Sequence, residues 1–182
     1  HDKNYEATQY AIQVAKDNGC LISFDPNLRL SLWKTPEEAR KRILYGMKQC
    51  DIMKISEEEV AFVSERESLE EGVSFIRDNS DIKILFVTLG NKGSIAYYKD
   101  EKIYCRGIHQ EHVVDTTGAG DTFCGAVLSR ILELGTDDLT EKEIREMLLF
   151  ANAAASIVVT RKGALCSMPE PEEIRAVVTN SL

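Results

Sequence analysis

The chain has 182 residues and a mass of 20.4 kDa, and its 22 Lys+Arg against 30 Asp+Glu leave a net charge of −8. With 43% hydrophobic and 29% charged residues it falls among globular proteins, and a chain of this size buries about 70% of its unfolded surface without needing disulfides or a structural metal. No apolar run approaches the ~20 residues of a membrane span. The stretch from His1 to Tyr5 lacks the apolar core of a secretion signal, which gives a cytoplasmic expectation with no membrane partner. The longest basic cluster is Arg40-Lys41-Arg42 in an acidic chain, which argues against a surface that neutralises a nucleic-acid backbone and favours a small-molecule partner. Cys20, Cys50, Cys105, Cys124 and Cys166 are odd in number and form no C-x-x-C pair, which reads as reduced core thiols.

In chain order, apolar and small residues at helical spacing over Tyr5–Asn18 predict a helix that stops at Gly19. Cys20–Phe24 is a buried strand running into the loop Asp25-Pro26-Asn27. Thr35-Pro36-Glu37-Glu38 starts a second helix with Thr35 as N-cap and Glu38 closing a capping box, ending near Gln49. A strand over Asp51–Ile55, a short helix from Ser56 to Val63 and another over Ser68–Asn79 follow. Ile82–Leu89 is nearly all apolar, as in a strand covered on both faces. Gly90 and Gly93 bracket a turn, and Ser94–Tyr98 with Lys102–Arg106 reads as a hairpin. Helices over Gly120–Leu134, Glu141–Val158 and Glu170–Val178 complete the chain. Strand and helix alternate before helices dominate, which predicts an α/β fold, a mainly parallel sheet with helices on both faces.

The segment richest in chemistry is Val113-Val114-Asp115-Thr116-Thr117-Gly118-Ala119-Gly120-Asp121-Thr122-Phe123, read as a short strand, a glycine turn and a helix start. Gly118 and Gly120 let the backbone approach a ligand, and the first N–H groups of a helix lack internal partners, so an anion such as phosphate is the natural occupant. It is not a Walker A loop, since Ala126-Val127 follow where Lys-Ser/Thr would stand. It is not a dinucleotide fingerprint either, since Phe123 occupies the position that needs a small residue. Asp121 falls in the first helical turn. It either complements the helix dipole, worth about 0.3–1 kcal/mol, or serves as the base that deprotonates an attacking hydroxyl in phosphoryl transfer.

Asp115-Thr116-Thr117-Gly118-Ala119-Gly120-Asp121 resembles the C-terminal signature of the ribokinase-like (PfkB) carbohydrate kinase family. Other segments resemble it in the expected order: Asp25-Pro26-Asn27-Leu28-Arg29 with Leu32-Trp33, Lys54 to Glu59, Val87 to Gly93, and Ala151-Asn152-Ala153-Ala154-Ala155 through Lys162-Gly163. Essentially the whole chain is covered, and the Asp25 to Trp33 segment most resembles fructokinases. The resemblance implies a three-layer ribokinase-like fold and ATP-dependent phosphorylation of a sugar hydroxyl, fructose to fructose 6-phosphate. Gly118, Ala119 and Gly120 would form the anion hole and Asp121 the base. Thr88, Gly90 and Gly93 match the strand-turn that approaches ATP, and adenine would lie near Asn152. Glu59 matches an acidic residue near Mg²⁺, although Ser56-x-x-Glu59 is equally a capping box and the common family pattern has Asn where Ser56 stands. Asp115, Thr117 and Ser167 resemble a monovalent-cation site that would suit K⁺. Arg29 would face the substrate or a phosphate.

The family's N-terminal half supplies a Gly-Gly sugar motif, most sugar contacts and a lid of strands, and none of the 11 glycines here adjoins another. The resemblance therefore reads residues 1–182 as the C-terminal, nucleotide-binding and catalytic-base portion of one kinase domain, with N-terminal part and lid missing. Such a portion is expected to be nearly inactive alone and inclined to self-associate as a homodimer. The rival readings are a non-catalytic ATP-binding module, or a kinase for another sugar, a sugar acid or a nucleoside. A nicotinamide-dependent dehydrogenase is disfavoured by the missing G-x-G-x-x-G.

Overall fold

A computed structural model describes residues 2–181; His1, where the reading of a leaderless start begins, lies outside them. The described residues form seven α-helices and five strands, and the chain divides into two compact units, His1–Leu85 and Phe86–Leu182.

The first unit opens with α1 (Asp2–Asp17), closed by Gly19 in the left-handed region at φ 66°. Strand β1 (Ser23–Phe24) is only two residues long and pairs in parallel with β2 (Ile52–Ser56), Ser23 opposite Ile52 and Phe24 opposite Met53. Helix α2 (Pro36–Met47) starts where the sequence predicts. Thr35 Oγ accepts the Glu38 amide at 3.1 Å, but the carboxylate it meets is that of Glu37, held low by its own amide and by Thr35. Helices α3 (Glu57–Ser64) and α4 (Leu69–Asp78) turn Val60, Val63, Val73 and Ile76 into this unit's core.

Strand β3 (Ile84–Thr88) carries the chain into the second unit. It begins two residues later than predicted, because Lys83 and Ile84 both donate to the Asp51 carbonyl ahead of the strand. Ile84, Leu85, Phe86 and Val87 are all buried, as a strand covered on both faces requires. Strands β4 (Gly93–Tyr98) and β5 (Glu101–Arg106) form an antiparallel hairpin from Gly93 opposite Arg106 to Tyr98 opposite Glu101. Its turn is Lys99-Asp100, with Lys99 at φ 49°, one residue shorter than the sequence reading. Parallel and antiparallel pairings thus coexist.

Helices α5 (Ala119–Leu134), α6 (Glu141–Val158) and α7 (Pro171–Ser181) complete the unit. Helix α6 is its buried post: Ile144, Met147, Leu148, Ala151, Ala153, Ala154 and Val158 are all inaccessible or nearly so. The small side chains let its backbone come close to neighbouring elements. Its start is fixed by a capping box in which Thr140 Oγ accepts the Glu143 amide and the Glu143 carboxylate accepts the Thr140 amide. Thr140→Ala is expected to cost about 1 kcal/mol, read as a lower urea midpoint at unchanged m-value.

Three expectations fail. Cys20–Phe24, read as a buried strand, is strand only at Ser23–Phe24, with Cys20 and Leu21 exposed because no neighbouring element covers them on both faces. Val113-Val114 is not a strand: both side chains are exposed, and only the Val114 amide is tied, to Val159 O at 2.8 Å. Among the described residues no cysteine is in a disulfide, but Cys20 and Cys166 are exposed and Cys124 half-buried, which leaves Cys50 and Cys105 as core thiols. Burial pushes the Cys50 thiol up to about 12. Among the described residues no helix is long and apolar enough to cross a membrane.

Candidate active site

The glycine turn is built from its own backbone. Val159 O accepts the amides of Val114 (2.8 Å) and Asp115 (3.2 Å). Asp115 then accepts Thr117 N at 2.9 Å on Oδ1 and Gly163 N at 3.3 Å on Oδ2, a turn of the kind short acidic side chains stabilise. Gly118 caps α5 at φ 82° with no side-chain cap, and a Cβ there would stand 3.4 Å from Ala164 Cα. Ala119 N turns back to Thr116 O (3.3 Å) and Thr122 N to Gly118 O (2.8 Å). The amides of Gly120 and Asp121 find no acceptor among the described residues. Two N–H groups without an acceptor at the positive end of a sixteen-residue helix are a setting that suits an anion. Phe123, which rules out the dinucleotide fingerprint, is buried edge-on against Phe86 with centroids 6.3 Å apart and anchors the helix start. Asp121 is exposed in the same first turn, and the neighbouring Thr122 hydroxyl is buried without a partner.

Beside the turn lies a cavity of about 430 Å³, within the range of small-molecule sites. It gathers Thr88, Gly90 and Gly93 from the β3–β4 connection, Ala119 and Gly120 from the turn, and Asn152 from α6. Gly118 and Asp121 stand outside the lining. Gly90 is left-handed at φ 59°, with open space where a Cβ would be. Gly93 is different: at φ 114° its Cβ would lie 2.2 Å from Cys105 O, so the backbone packing alone demands glycine. Asn152 is buried, its Nδ2 donating to Cys105 O (3.2 Å) and Arg106 O (3.3 Å) and its Oδ1 accepting from Ser94 Oγ (2.9 Å). The sequence reading missed Asn91, the wall from Gly107 to Gln110, and Ser156. Gly107 directly after a hairpin strand was the one available signal there.

Glu59 and Arg29 belong to the first unit. Glu59 is buried, and its carboxylate accepts Leu28 N at 2.6 Å and Ser56 N at 2.9 Å, while Ser56 Oγ accepts Glu59 N at 3.2 Å. The capping box therefore forms, and the same carboxylate also fastens the Asp25–Arg29 loop. Asp25 pairs with buried Lys54 at 3.1 Å, and burial, its largest influence, holds the Asp25 carboxyl above the usual range. Arg29 is exposed, with Nη1 donating to Leu28 O at 2.9 Å. A cavity of about 410 Å³ in this unit, between α1 and α2, is lined by none of the predicted site residues, though Leu32 and Trp33 border it.

The three residues read as a cation site do meet. Asp115 holds the Gly163 amide, Thr117 bonds Asp115, and buried Ser167 directs its hydroxyl at the carbonyls of Gly163 (2.6 Å) and Ala164 (2.7 Å). Carboxylate, hydroxyl and carbonyl oxygens of this kind are what a hard cation takes. Hydrogen bonds from Thr117 and then Gly163 hold the Asp115 carboxyl below its usual range. A lowered folded-state value means that the staple stabilises the fold above the ordinary Asp range and is lost as pH falls through the lowered value. Asp115→Ala should therefore lower the urea midpoint at neutral pH, and the variant and wild-type midpoints should converge below about pH 4.

A family model described as pfkB family carbohydrate kinase matches residues 2–171. Fructokinase-1 of Oryza sativa subsp. japonica is 41% identical over 167 residues, which cover 90% of this chain and 50% of that protein. A double-mutant fructokinase from Vibrio cholerae O395, in fructose, ADP and potassium ion bound form, superposes with a TM-score of 0.86 at 33% identity, over 95% of this chain and 55% of that one. A fructokinase with bound ATP from Xylella fastidiosa gives 0.85 at 25% identity, over 97% and 57%. The chain spans about half the length of the curated relatives it matches.

Proposed function

The chain belongs to the pfkB family of carbohydrate kinases, with the ribokinase-like α/β fold of its structural neighbours, and from that premise we propose that it serves ATP-dependent phosphorylation of a sugar, fructose to fructose 6-phosphate. The observation that carries the reading is the α5 N-terminus, where two unpartnered amides and the Asp121 carboxylate share one turn beside the 430 Å³ cavity.

ATP supplies the phosphoryl group, and Mg²⁺ would neutralise part of its phosphate charge. The cavity between Gly90, Asn152 and Gly120 takes the nucleotide. The Gly120 and Asp121 amides, with the Gly118-Ala119 turn that presents them, hold the oxygens of the transferring group as charge develops. Asp121 accepts the proton of the attacking sugar hydroxyl while that oxygen bonds to the γ-phosphorus and the bond from γ-phosphorus to the bridging oxygen breaks, releasing ADP. Asp115, Thr117 and Ser167, with the carbonyls they meet, would hold K⁺ beside the turn. Glu59, whose oxygens each keep a lone pair beyond the amide they accept, would be the acidic residue that serves Mg²⁺, a hard cation that takes oxygen ligands. Arg29 faces the sugar or its phosphate.

Positioning contributes up to about 7–11 kcal/mol in such reactions. Residues 1–182 taken alone are accordingly proposed to bind nucleotide but turn over little, for want of the family's Gly-Gly sugar motif. The test is to incubate the whole protein, rather than residues 1–182 alone, with ATP, Mg²⁺ and fructose and identify the product by ¹³C and ³¹P NMR. A phosphomonoester on carbon 6 supports the reading. Phosphate on carbon 1, or on another sugar of a panel but not on fructose, rejects this substrate, and bound ATP with no sugar product favours a non-catalytic nucleotide module.

A further inference from the structure

We propose that Ser94 and Asn152 are positioning residues for the nucleotide, acting through the backbone of Cys105 and Arg106 to hold the Gly107–Gln110 wall of the cavity. The inference rests on reading that cavity as the nucleotide site, and it assigns the base to shape and backbone instead of to the Asn152 amide.

A side-chain amide has two N–H donors and one carbonyl acceptor. In Asn152 both donors are spent on the successive carbonyls of Cys105 and Arg106, at 3.2 and 3.3 Å. The ring nitrogens of adenine accept hydrogen bonds, and they find no donor left on this side chain. The orientation of the amide is set by Ser94, which is wholly buried on β4 and donates to Oδ1 at 2.9 Å. Flipping the amide would turn Oδ1 toward two carbonyl oxygens and leave the Ser94 hydroxyl facing an N–H.

The strand end that Asn152 grips is held from the turn as well. Gly107 N donates to Lys92 O at 3.0 Å, and Cβ atoms on Gly93 and Gly107 would fall 2.2 Å from Cys105 O and 2.3 Å from Asn91 O. One helical turn beyond Asn152, Ser156 Oγ accepts from Gln110 Nε2 at 3.3 Å. Helix α6 thus clamps both ends of the wall, with Asn152 at Cys105-Arg106 and Ser156 at Gln110. These positions are four apart and lie on one helical face. Ser94 makes the first clamp single-valued, and a buried network of this kind favours one geometry when each member is satisfied.

The test compares Ser94→Ala, Asn152→Ala and Asn152→Asp with wild type in the whole protein, by calorimetric Kd for ATP and GTP, kcat and KM for ATP, and Tm without nucleotide. Ser94→Ala strands a buried acceptor and is expected to weaken ATP and GTP by one common factor of about ten, with the loss in KM and not in kcat. Asn152→Ala should do the same and leave the ATP/GTP preference unchanged. Asn152→Asp sets an ionised carboxylate against two carbonyls, so its ATP affinity should recover on acidification more than that of wild type. A changed ATP/GTP preference in Asn152→Ala would overturn the proposal, because the amide would then read the base. So would a Ser94→Ala protein with lower Tm and both Kd values intact, since the role would then be structural only. Should Asn152→Ala fail to fold, Ser94→Ala, which removes one atom, decides alone. A wild-type protein that binds neither nucleotide rejects the nucleotide site itself, a result seen before any variant is made.

Discussion

Asp121→Asn is expected to lower kcat for sugar phosphorylation by about 10²–10⁴-fold, the usual contribution of a positioned general base, while leaving the Kd for ATP near that of wild type. The substitution keeps the shape of the side chain and the two N–H groups at the start of α5, so the anion site survives and the proton acceptor does not. The loss should fall on kcat, because the proton moves only as the new bond forms. Asp121 is exposed and stands outside the cavity lining, which agrees with a group that faces an incoming hydroxyl and not the nucleotide. A variant that turns over at the wild-type rate reduces Asp121 to a dipole-complementing residue and removes the base from the mechanism.

Gly93→Ala is expected to destabilise the protein by more than about 3 kcal/mol, since it combines a backbone conformation that L residues rarely adopt with a collision that cannot relax. At φ 114° the added Cβ would lie 2.2 Å from Cys105 O and 2.4 Å from Gly107 N, both backbone atoms. The measurement is the urea midpoint at fixed m-value. Gly90→Ala is the control: φ is 59°, nothing lies within 4 Å of the new Cβ, and the cost should be only the left-handed penalty of about 1–2 kcal/mol. Equal losses for the two would contradict the close approach at Gly93.

The comparison of these two glycines shows where sequence reading stops. Both belong to one turn motif, and both line the cavity, yet one is required by the packing of the β5 end and the other faces open space. Only the register of β4 with β5 separates them, and that register depends on residues a dozen positions away. Local signals were read well. Thr35 caps α2, Ser56 and Glu59 form their box, and the apolar run before Gly90 holds a strand buried from Ile84 to Val87. Val113-Val114 misled because β-branched side chains suggest a strand, whereas the segment is held by a single carbonyl, Val159 O, and stays exposed. The spacing of Glu59 allowed either a cap or a metal-facing group, and the structure adds a third contact, Leu28 N, that no local pattern contains. The Gly107–Gln110 wall was illegible for the same reason: its place is set by Asn152 and Ser156 on α6, over forty positions further along the chain.

The central proposal is that, in the whole protein, the turn and carboxylate at the start of α5 move a phosphoryl group to a sugar. Its most direct test is the rate of ADP release by the whole protein at saturating ATP and Mg²⁺, with and without fructose. Release that rises steeply with fructose and saturates is the predicted result, and release that is the same with fructose or any other sugar as without would contradict it.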